Sequence, residues 1–433
     1  MADPGTGVTP YWELTFDADG DADGAERDRL LTQVTDHGVR DLIVFSHGWN
    51  NDRSGATALY RRFFAPVPRL APKARLGYVG VIWPSMRFSD EPIPDFPRSV
   101  AAMEAEAAPR PALDKDTRRA LPAAFPGRTT VLDEVARMLE DRPGGTEGLT
   151  EFGRLVRLLL DDDRQGVVAD TDEDGEPAVF GGDPVTACEQ FVEALAALDA
   201  SGAAARFTLP NPWDGAKELL RQATYHQMKR RAGTVGERGL GPLLGRLAGA
   251  APGLRVHLVG HSFGGRLVAF ALRGLPGGVR TVKSVTLLQG AFSHYAFAAR
   301  LPHAPDRSGA LKGLHGRVDG PLVCCYSHFD AALGTFYPLA SRLAGDDRAC
   351  VGNEIAAVLG PRWGALGHDG VQAVPGTARL DLAAALAGRL PASGCVNVDA
   401  AAVVRRGGPP SGAHSDIVHP ELARVVLAAG RIA

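Results

Sequence analysis

Ser262 stands in the segment Gly260-His261-Ser262-Phe263-Gly264, a spacing that suits a serine nucleophile. A serine hydroxyl attacks an acyl carbon well only if a base removes its proton and its oxygen stands clear of the backbone. A strand that turns sharply into a helix meets the second condition. It requires small residues two before and two after the serine, so that strand and helix can approach each other. Gly260 and Gly264 fill those places, and Gly265 adds room. In a chain with 52 glycines the five-residue motif alone is a weak signal, so its flanks carry the argument. Residues 254–259 read as a buried strand and 266–275 as a helix.

Acyl transfer also needs donors aimed at the oxyanion. One is expected from the backbone N–H of Phe263, where the following helix directs its positive end. A second belongs in the loop after an earlier strand. Ser46-His47-Gly48-Trp49-Asn50-Asn51 follows the apolar run 42–45 and is well placed, with the Trp49 N–H as the choice and Gly48 as the alternative. Each such donor is worth about 3–4 kcal/mol to a transition state.

For a serine on such an elbow, the acid and then the base follow in chain order. Asp330 comes just beyond the apolar run 322–326, and His414 ends a Gly/Pro-rich loop before the last helical pattern. Asp369 and Asp399 are alternatives for the acid, and His328 and His419 for the base. His328 lies too near the acid's strand, and His419 falls at the start of the final helix. Asp416 is read as a loop cap, and His261 as a ring packed beside the elbow.

The elements that must position these residues alternate. Apolar, β-branched runs at 41–45, 76–83, 254–259, 282–288, 321–326 and, more weakly, 395–398 read as buried parallel strands, with 11–16 as an edge strand. Helical patterns occupy 54–70, 264–275, 330–343 and 420–429, the last with Pro420 at its start and Gly430 just past its end. Strands alternating with helices specify an α/β class with a mostly parallel sheet covered on both faces.

The rhythm breaks after residue 83. A Pro-rich opening leads to helical patterns at 130–139, 148–160 and 184–200, with Asp183-Pro184 as a helix start. The expected organisation is therefore a first core part at 1–83, an inserted, mainly helical cap at 84–215, and a second core part at 216–433. Trp83, Met86, Phe88 and Phe96 at its edge are candidates for an acyl pocket or for ordinary core packing.

Composition narrows the class. The chain has 433 residues, is 45% hydrophobic and carries a formal net charge of −3. No dominant basic tract marks a nucleic-acid binder, and Lys229-Arg230-Arg231 reads as a solvated helix face. No secretory start and no apolar stretch of about 18 residues is visible, so a soluble, cytoplasmic protein without stable membrane insertion is expected. The five cysteines are irregularly spaced and suggest neither disulfides nor zinc, with Cys324 and Cys325 as buried small hydrophobes. The loops Asp19–Gly24 and Asp170–Gly175 match the first half of a calcium loop, but Leu30 and Gly181 stand where its bidentate Glu belongs, so solvated turns are expected.

Taken together, Ser46-His47-Gly48-Trp49, Gly260-His261-Ser262-Phe263-Gly264-Gly265, Asp330 and His414 resemble the α/β-hydrolase superfamily. The likeness is to its lipases and carboxylesterases, and to bacterial serine hydrolases of lipase type. It covers almost the whole chain outside the insertion. It implies an eight-stranded sheet, a covalent acyl-enzyme, no metal or organic cofactor, and a small-molecule or lipid ester as substrate; it fixes no oligomeric state. The chain departs from the common esterase pattern in the length of its insertion, and in placing it between the fourth and fifth core strands instead of after the sixth. A phospholipase, thioesterase or acyltransferase would use the same residues. In a different class stands a silent relic of the fold that only binds.

Overall fold

The computed structural model describes residues 5–86, 113–160, 180, 182–200, 211–330, 332–333, 364–407 and 412–432. Its sheet contains β1 (Tyr11–Thr15), β2 (Asp41–Ser46), β3 (Leu76–Ile82), β4 (Arg255–His261), β5 (Val282–Leu288), β6 (Pro321–Tyr326), β7 (Ala378–Asp381) and β8 (Gly394–Asp399). The order across this 8-stranded sheet is β1-β3-β2-β4-β5-β6-β8-β7. Every neighbouring pair is parallel, so the sheet is wholly parallel where a mostly parallel one was expected.

β2 and β3 are buried along their whole length, which is why they read as continuous apolar runs. Alternate side chains serve the two faces. Leu42 and Val44 face the layer holding helices Gly24–Asp36, Gly241–Ala250 and Phe263–Gly274. Ile43 and Phe45 face the layer of Arg53–Phe64 and Pro420–Gly430. β7 escapes the sequence pattern. It is a four-residue edge strand, half-buried and exposed in turn, and pairs only with β8. The short edge has little apolar surface to announce it.

Between β3 and β4, and not between the fourth and fifth strands as expected, lie helices Lys115–Ala124, Thr129–Asp141, Thr146–Leu160 and Pro184–Ala200, which pack on the helix Pro212–Thr234. The patterns expected at 130–139, 148–160 and 184–200 fall on three of them. Asp183 begins the last as expected, its Oδ2 accepting from the Thr186 N–H at 3.0 Å. Their apolar faces join the same core cluster as the first sheet face. Trp83 and Met86 belong to that core too, while Phe88 and Phe96 lie outside the described residues.

The helix that carries Lys229-Arg230-Arg231 is long. It starts at Pro212, passes through a π-helical segment at Val235–Leu240 and continues as Gly241–Ala250. Glycines that argue against a helix locally are used here for contact. A Cβ on Gly236 would lie 2.2 Å from the Leu267 carbonyl oxygen, and one on Gly241 2.6 Å from that of Ala271. Gly274 answers from the other side, where a Cβ would meet the Glu237 oxygen at 1.7 Å. The π segment and the helix Phe263–Gly274 therefore touch backbone to backbone.

Two expectations change. Arg231 is not on a solvated face: it is buried, its Nη1 donates to the Pro84 carbonyl at 2.7 Å and its Nη2 to that of Ala123 at 3.0 Å. Burial lowers its guanidinium to about 10, while Lys229 and Arg230 are half-buried. Gly430 is the last residue of its helix and not the residue beyond it; Arg431 takes the left-handed position at φ 50°. Glycine serves at 430 because a Cβ would meet the His257 ring at 2.7 Å. The helix expected at 330–343 falls mostly outside the described residues.

The Asp19–Gly24 loop is a turn closed on Asp17 Oδ1, and Asp23 caps the next helix by accepting from the Glu26 N–H at 2.9 Å. The similar loop at 170–175 lies outside the described residues, as does Cys350. The other four cysteines are buried and free. Among the described residues no helix is long and apolar enough to cross a membrane.

Two glycines in the long helical run separate close packing from propensity. Gly236→Ala is expected to destabilise by about 1–3 kcal/mol, because a backbone must move. Gly249→Ala, whose Cβ would meet nothing within 4 Å, is expected to stabilise by about 0.5–1 kcal/mol. Urea-unfolding midpoints of the two variants check both signs.

Candidate active site

Consecutive strands run outward from the sheet centre in opposite directions: β3 lies on one side of β2, and β4, β5 and β6 on the other. Between β2 and β4 the order reverses. A parallel sheet opens a crevice at such a point, outside the carboxyl ends of the strands. The His47-Gly48-Trp49 loop leaves β2 there, and Ser262 follows the last residue of β4.

Ser262 holds φ 54° and ψ −122°, a conformation L-residues rarely adopt. Its N–H donates to the Leu288 carbonyl at 3.1 Å, and its carbonyl accepts from Gly265 at 3.0 Å and Ala291 at 3.2 Å. Close backbone approach makes the turn possible. A Cβ on Gly260 would lie 2.3 Å from the Gly264 oxygen, and one on Gly264 2.1 Å from that of Ser46. A Cβ on Gly48 would meet the Ser262 Cβ at 2.7 Å. The three glycines thus bring the β2 loop, β4 and the following helix to one point.

His414 and Asp330 complete a line of hydrogen bonds. His414 Nε2 lies 2.9 Å from Ser262 Oγ, and His414 Nδ1 lies 2.7 Å from Asp330 Oδ2. With Nδ1 protonated and donating to the carboxylate, Nε2 presents its lone pair to the serine hydroxyl. Asp330 is fully buried, and Ser262 is 6% exposed. The loops are tied as well as the side chains. Ala413 N–H donates to the Phe329 carbonyl at 2.9 Å. His261 Nε2 donates to the His414 carbonyl at 2.9 Å, so the residue before the serine anchors the proposed base.

The other candidates lie elsewhere. Asp369 sits between His294 and His368, with Nδ1 atoms at 3.0 and 2.8 Å. Those two imidazoles, against an opposing burial effect, lower its carboxyl below the ordinary range. Asp399 accepts from the Ala401 N–H. His328 is exposed and packs on Phe329. His419 precedes the last helix and bonds to Asp416 Oδ1 at 2.8 Å, while Asp416 Oδ2 accepts from the Arg405 and Arg406 N–H groups.

His47 is buried, stacked on Trp83 with 5.5 Å between ring centroids. Its Nε2 accepts from the Trp83 N–H at 3.4 Å, so the proton sits on Nδ1, which donates to the Gly48 carbonyl at 2.8 Å. A trans peptide sends its N–H opposite to its C=O. By holding the Gly48 carbonyl back, His47 turns the Trp49 N–H toward the side away from its own ring. Phe263 opens its helix, where the first N–H groups lack intrahelical acceptors. Rings of Trp49, Tyr225 and Phe263 meet beside these two peptides, with Tyr225 4.8 Å from Phe263 and 5.6 Å from Trp49.

Two features had no signal in the sequence. Gln289 Nε2 donates to Asp330 Oδ2 at 3.2 Å, a contact that an isolated glutamine after a strand does not advertise. At the other end of the sheet a second Ser–His–Asp line is buried. His257 Nε2 lies 3.0 Å from Asp41 Oδ1, and its Nδ1 2.9 Å from Ser284 Oγ. The ring uses its nitrogens in the reverse sense to His414. With Asp41 at 4%, His257 at 0% and Ser284 at 1% exposure, this line joins β2, β4 and β5 and is closed to any substrate.

Comparison with protein-family models, with curated proteins and with solved structures finds no match to the chain.

Burial holds the His47 imidazole down at about 4 and that of His261, also beside His414, at about 3. Both are neutral in the folded chain, whereas in the unfolded chain they protonate below about pH 6.5. The unfolded state therefore binds more protons as pH falls through 6.5. Stability is fully present above that pH and declines below it by about 1.4 kcal/mol per pH unit per histidine, until each folded value is reached. Denaturant unfolding from pH 7 to 4.5 is expected to show this slope, and His47→Gln to remove one histidine's share of it.

Proposed function

We propose that this chain is a serine hydrolase that cleaves carboxylic esters, of carboxylesterase or lipase type, through an acyl-enzyme on Ser262. In this reading the parallel sheet is that of an α/β-hydrolase and the helices within 84–215 form its cap. The observation that carries the proposal is the unbroken line from Ser262 Oγ through His414 to Asp330, ending on a serine with φ 54°. A backbone strained at one residue, in reach of a base that is itself oriented by a buried acid, is an arrangement suited to nucleophilic catalysis.

The steps follow from the atoms. His414 Nε2 takes the hydroxyl proton as Ser262 Oγ bonds to the ester carbonyl carbon. The carbonyl oxygen gains the negative charge and is met by the N–H groups of Phe263 and Trp49. Asp330 keeps the proton on Nδ1 and stabilises the imidazolium. His414 then gives its proton to the departing alcohol as the C–O bond breaks. A water, deprotonated by the same nitrogen, bonds to the acyl carbon, and His414 returns that proton to Ser262 Oγ as the acyl–Oγ bond breaks and the acid leaves. The rings of Trp49 and Tyr225 flank the oxyanion side and favour an apolar substrate there.

A fluorophosphonate probe tests the nucleophile. The wild type is expected to label with one adduct, and Ser262→Ala to lose labelling while remaining folded. If the wild type stays unlabelled where a control esterase labels fully, the binding-module alternative replaces the hydrolase. Asp330→Asn is expected to lower turnover of a p-nitrophenyl ester about 10⁴-fold through the wrong imidazole tautomer. Asp369→Asn, whose carboxylate serves other histidines, is expected to stay within a few-fold of wild type. The reverse ranking would move the acid's role to Asp369.

A further inference from the structure

We propose that Gln289 is a positioning residue of this site, its side-chain amide holding the Asp330 carboxylate turned toward His414; the inference rests on the serine-hydrolase reading above. Gln289 is the first residue after β5 and takes φ 48°, a left-handed backbone in a non-glycine residue. It is 1% exposed. Its N–H donates to the Cys325 carbonyl at 3.2 Å, which fixes the turn against β6. From there its Nε2 reaches Asp330 Oδ2 at 3.2 Å, the same oxygen that receives His414 Nδ1 at 2.7 Å. The other oxygen, Oδ1, accepts from the Leu333 N–H at 3.0 Å.

The amide's orientation has a clear cause. Turned over, it would set its own oxygen against the carboxylate. As it stands, Oε1 is buried with no partner among the described residues. A buried acceptor left unpaired is unfavourable, so this arrangement is retained for the donor it delivers. A glutamine suits that task because it donates without adding charge. Without Nε2, Oδ2 would have His414 as its only donor among the described residues, leaving His414 and the Leu333 N–H alone to hold the carboxylate against rotation about χ2.

The same turn also holds the nucleophile. Leu288, just before Gln289, accepts from the Ser262 N–H, and Ala291, two residues after, donates to the Ser262 carbonyl. One four-residue stretch thus contacts both the nucleophile's backbone and the acid's carboxylate. Among the described residues, the titratable groups near this line include His261, with its ring 5.1 Å from that of His414, and His368, which lies within the field of Asp330.

The test uses Gln289→Met, which keeps the shape and removes the donor, and Gln289→Asn. Asparagine tolerates a left-handed backbone, so the second variant preserves the turn while withdrawing the amide. Rates are normalised to folded sites by fluorophosphonate titration. Both variants are expected to lower kcat about 10- to 100-fold, the scale on which loss of an orienting partner is felt, with KM within about 2-fold. The acid limb of kcat/KM is expected to move to higher pH, because a carboxylate with fewer donors favours the imidazolium of His414. In an Asp330→Asn background the Gln289→Met effect should disappear, since it acts through that carboxylate. Folded variants with wild-type kcat and an unmoved acid limb would overturn the inference while leaving the hydrolase reading intact. A loss explained wholly by fewer titratable sites would also overturn it. A wild type that neither labels nor turns over would sink both readings together.

Discussion

The left-handed backbone at Ser262 imposes its demands on the surrounding structure. To hold a β-carbon in that turn, the strand before it and the helix after it must approach to backbone contact, which Gly260 and Gly264 permit. The helix must then be gripped from outside. Gly236 in the π segment, Gly241 just after it and Gly274 do so, again backbone against backbone. A sharp turn of this kind costs on the order of 1–3 kcal/mol and persists only where its surroundings over-determine it. Here those surroundings are a parallel sheet on one side and a glycine-lined helical run on the other.

Around that point the sheet acts as a ruler. The loop after β2, the turn after β4, the turn after β5, the loop after β6 and the loop beyond β8 all open on the same edge. Side chains separated by 152 positions in the chain, Ser262 and His414, come within hydrogen-bond distance. Backbone bonds between the loops, from Ala413 to Phe329 and from His261 to the His414 carbonyl, limit how far any one can move alone. Placement therefore depends on main-chain contacts as much as on the reacting side chains.

Much of this was legible in the sequence, for a physical reason. Buried parallel strands need apolar side chains on both faces, so β2, β3, β4, β5 and β6 appear as runs that composition cannot hide. The glycines beside Ser262 and the order of Asp330 and His414 are equally visible. Legibility fails where tertiary contact overrides local preference. β7 is exposed on alternate residues and has no apolar stripe. The helix from Pro212 to Ala250 continues through glycines whose reason lies on a neighbouring helix. Arg231 reads as surface charge, yet carbonyls more than a hundred residues upstream receive it. Gln289 carries no pattern, since its meaning depends on a backbone angle and on a carboxylate 41 positions away.

The Asp41–His257–Ser284 line repeats the same three residue types around the very strand that leads to Ser262, with His257 on β4 five residues before that serine. At about 3.3 Å per residue His257 and Ser262 are roughly 16 Å apart along β4. A search by residue identity and distance alone would return both lines. They differ in circumstance: one serine stands at a strained turn beside a crevice, and the other is buried within the sheet between β4 and β5. The molecule thus carries its own internal comparison. It holds one chemical alphabet at both ends of one strand, and access and backbone geometry decide which end can be read as a word.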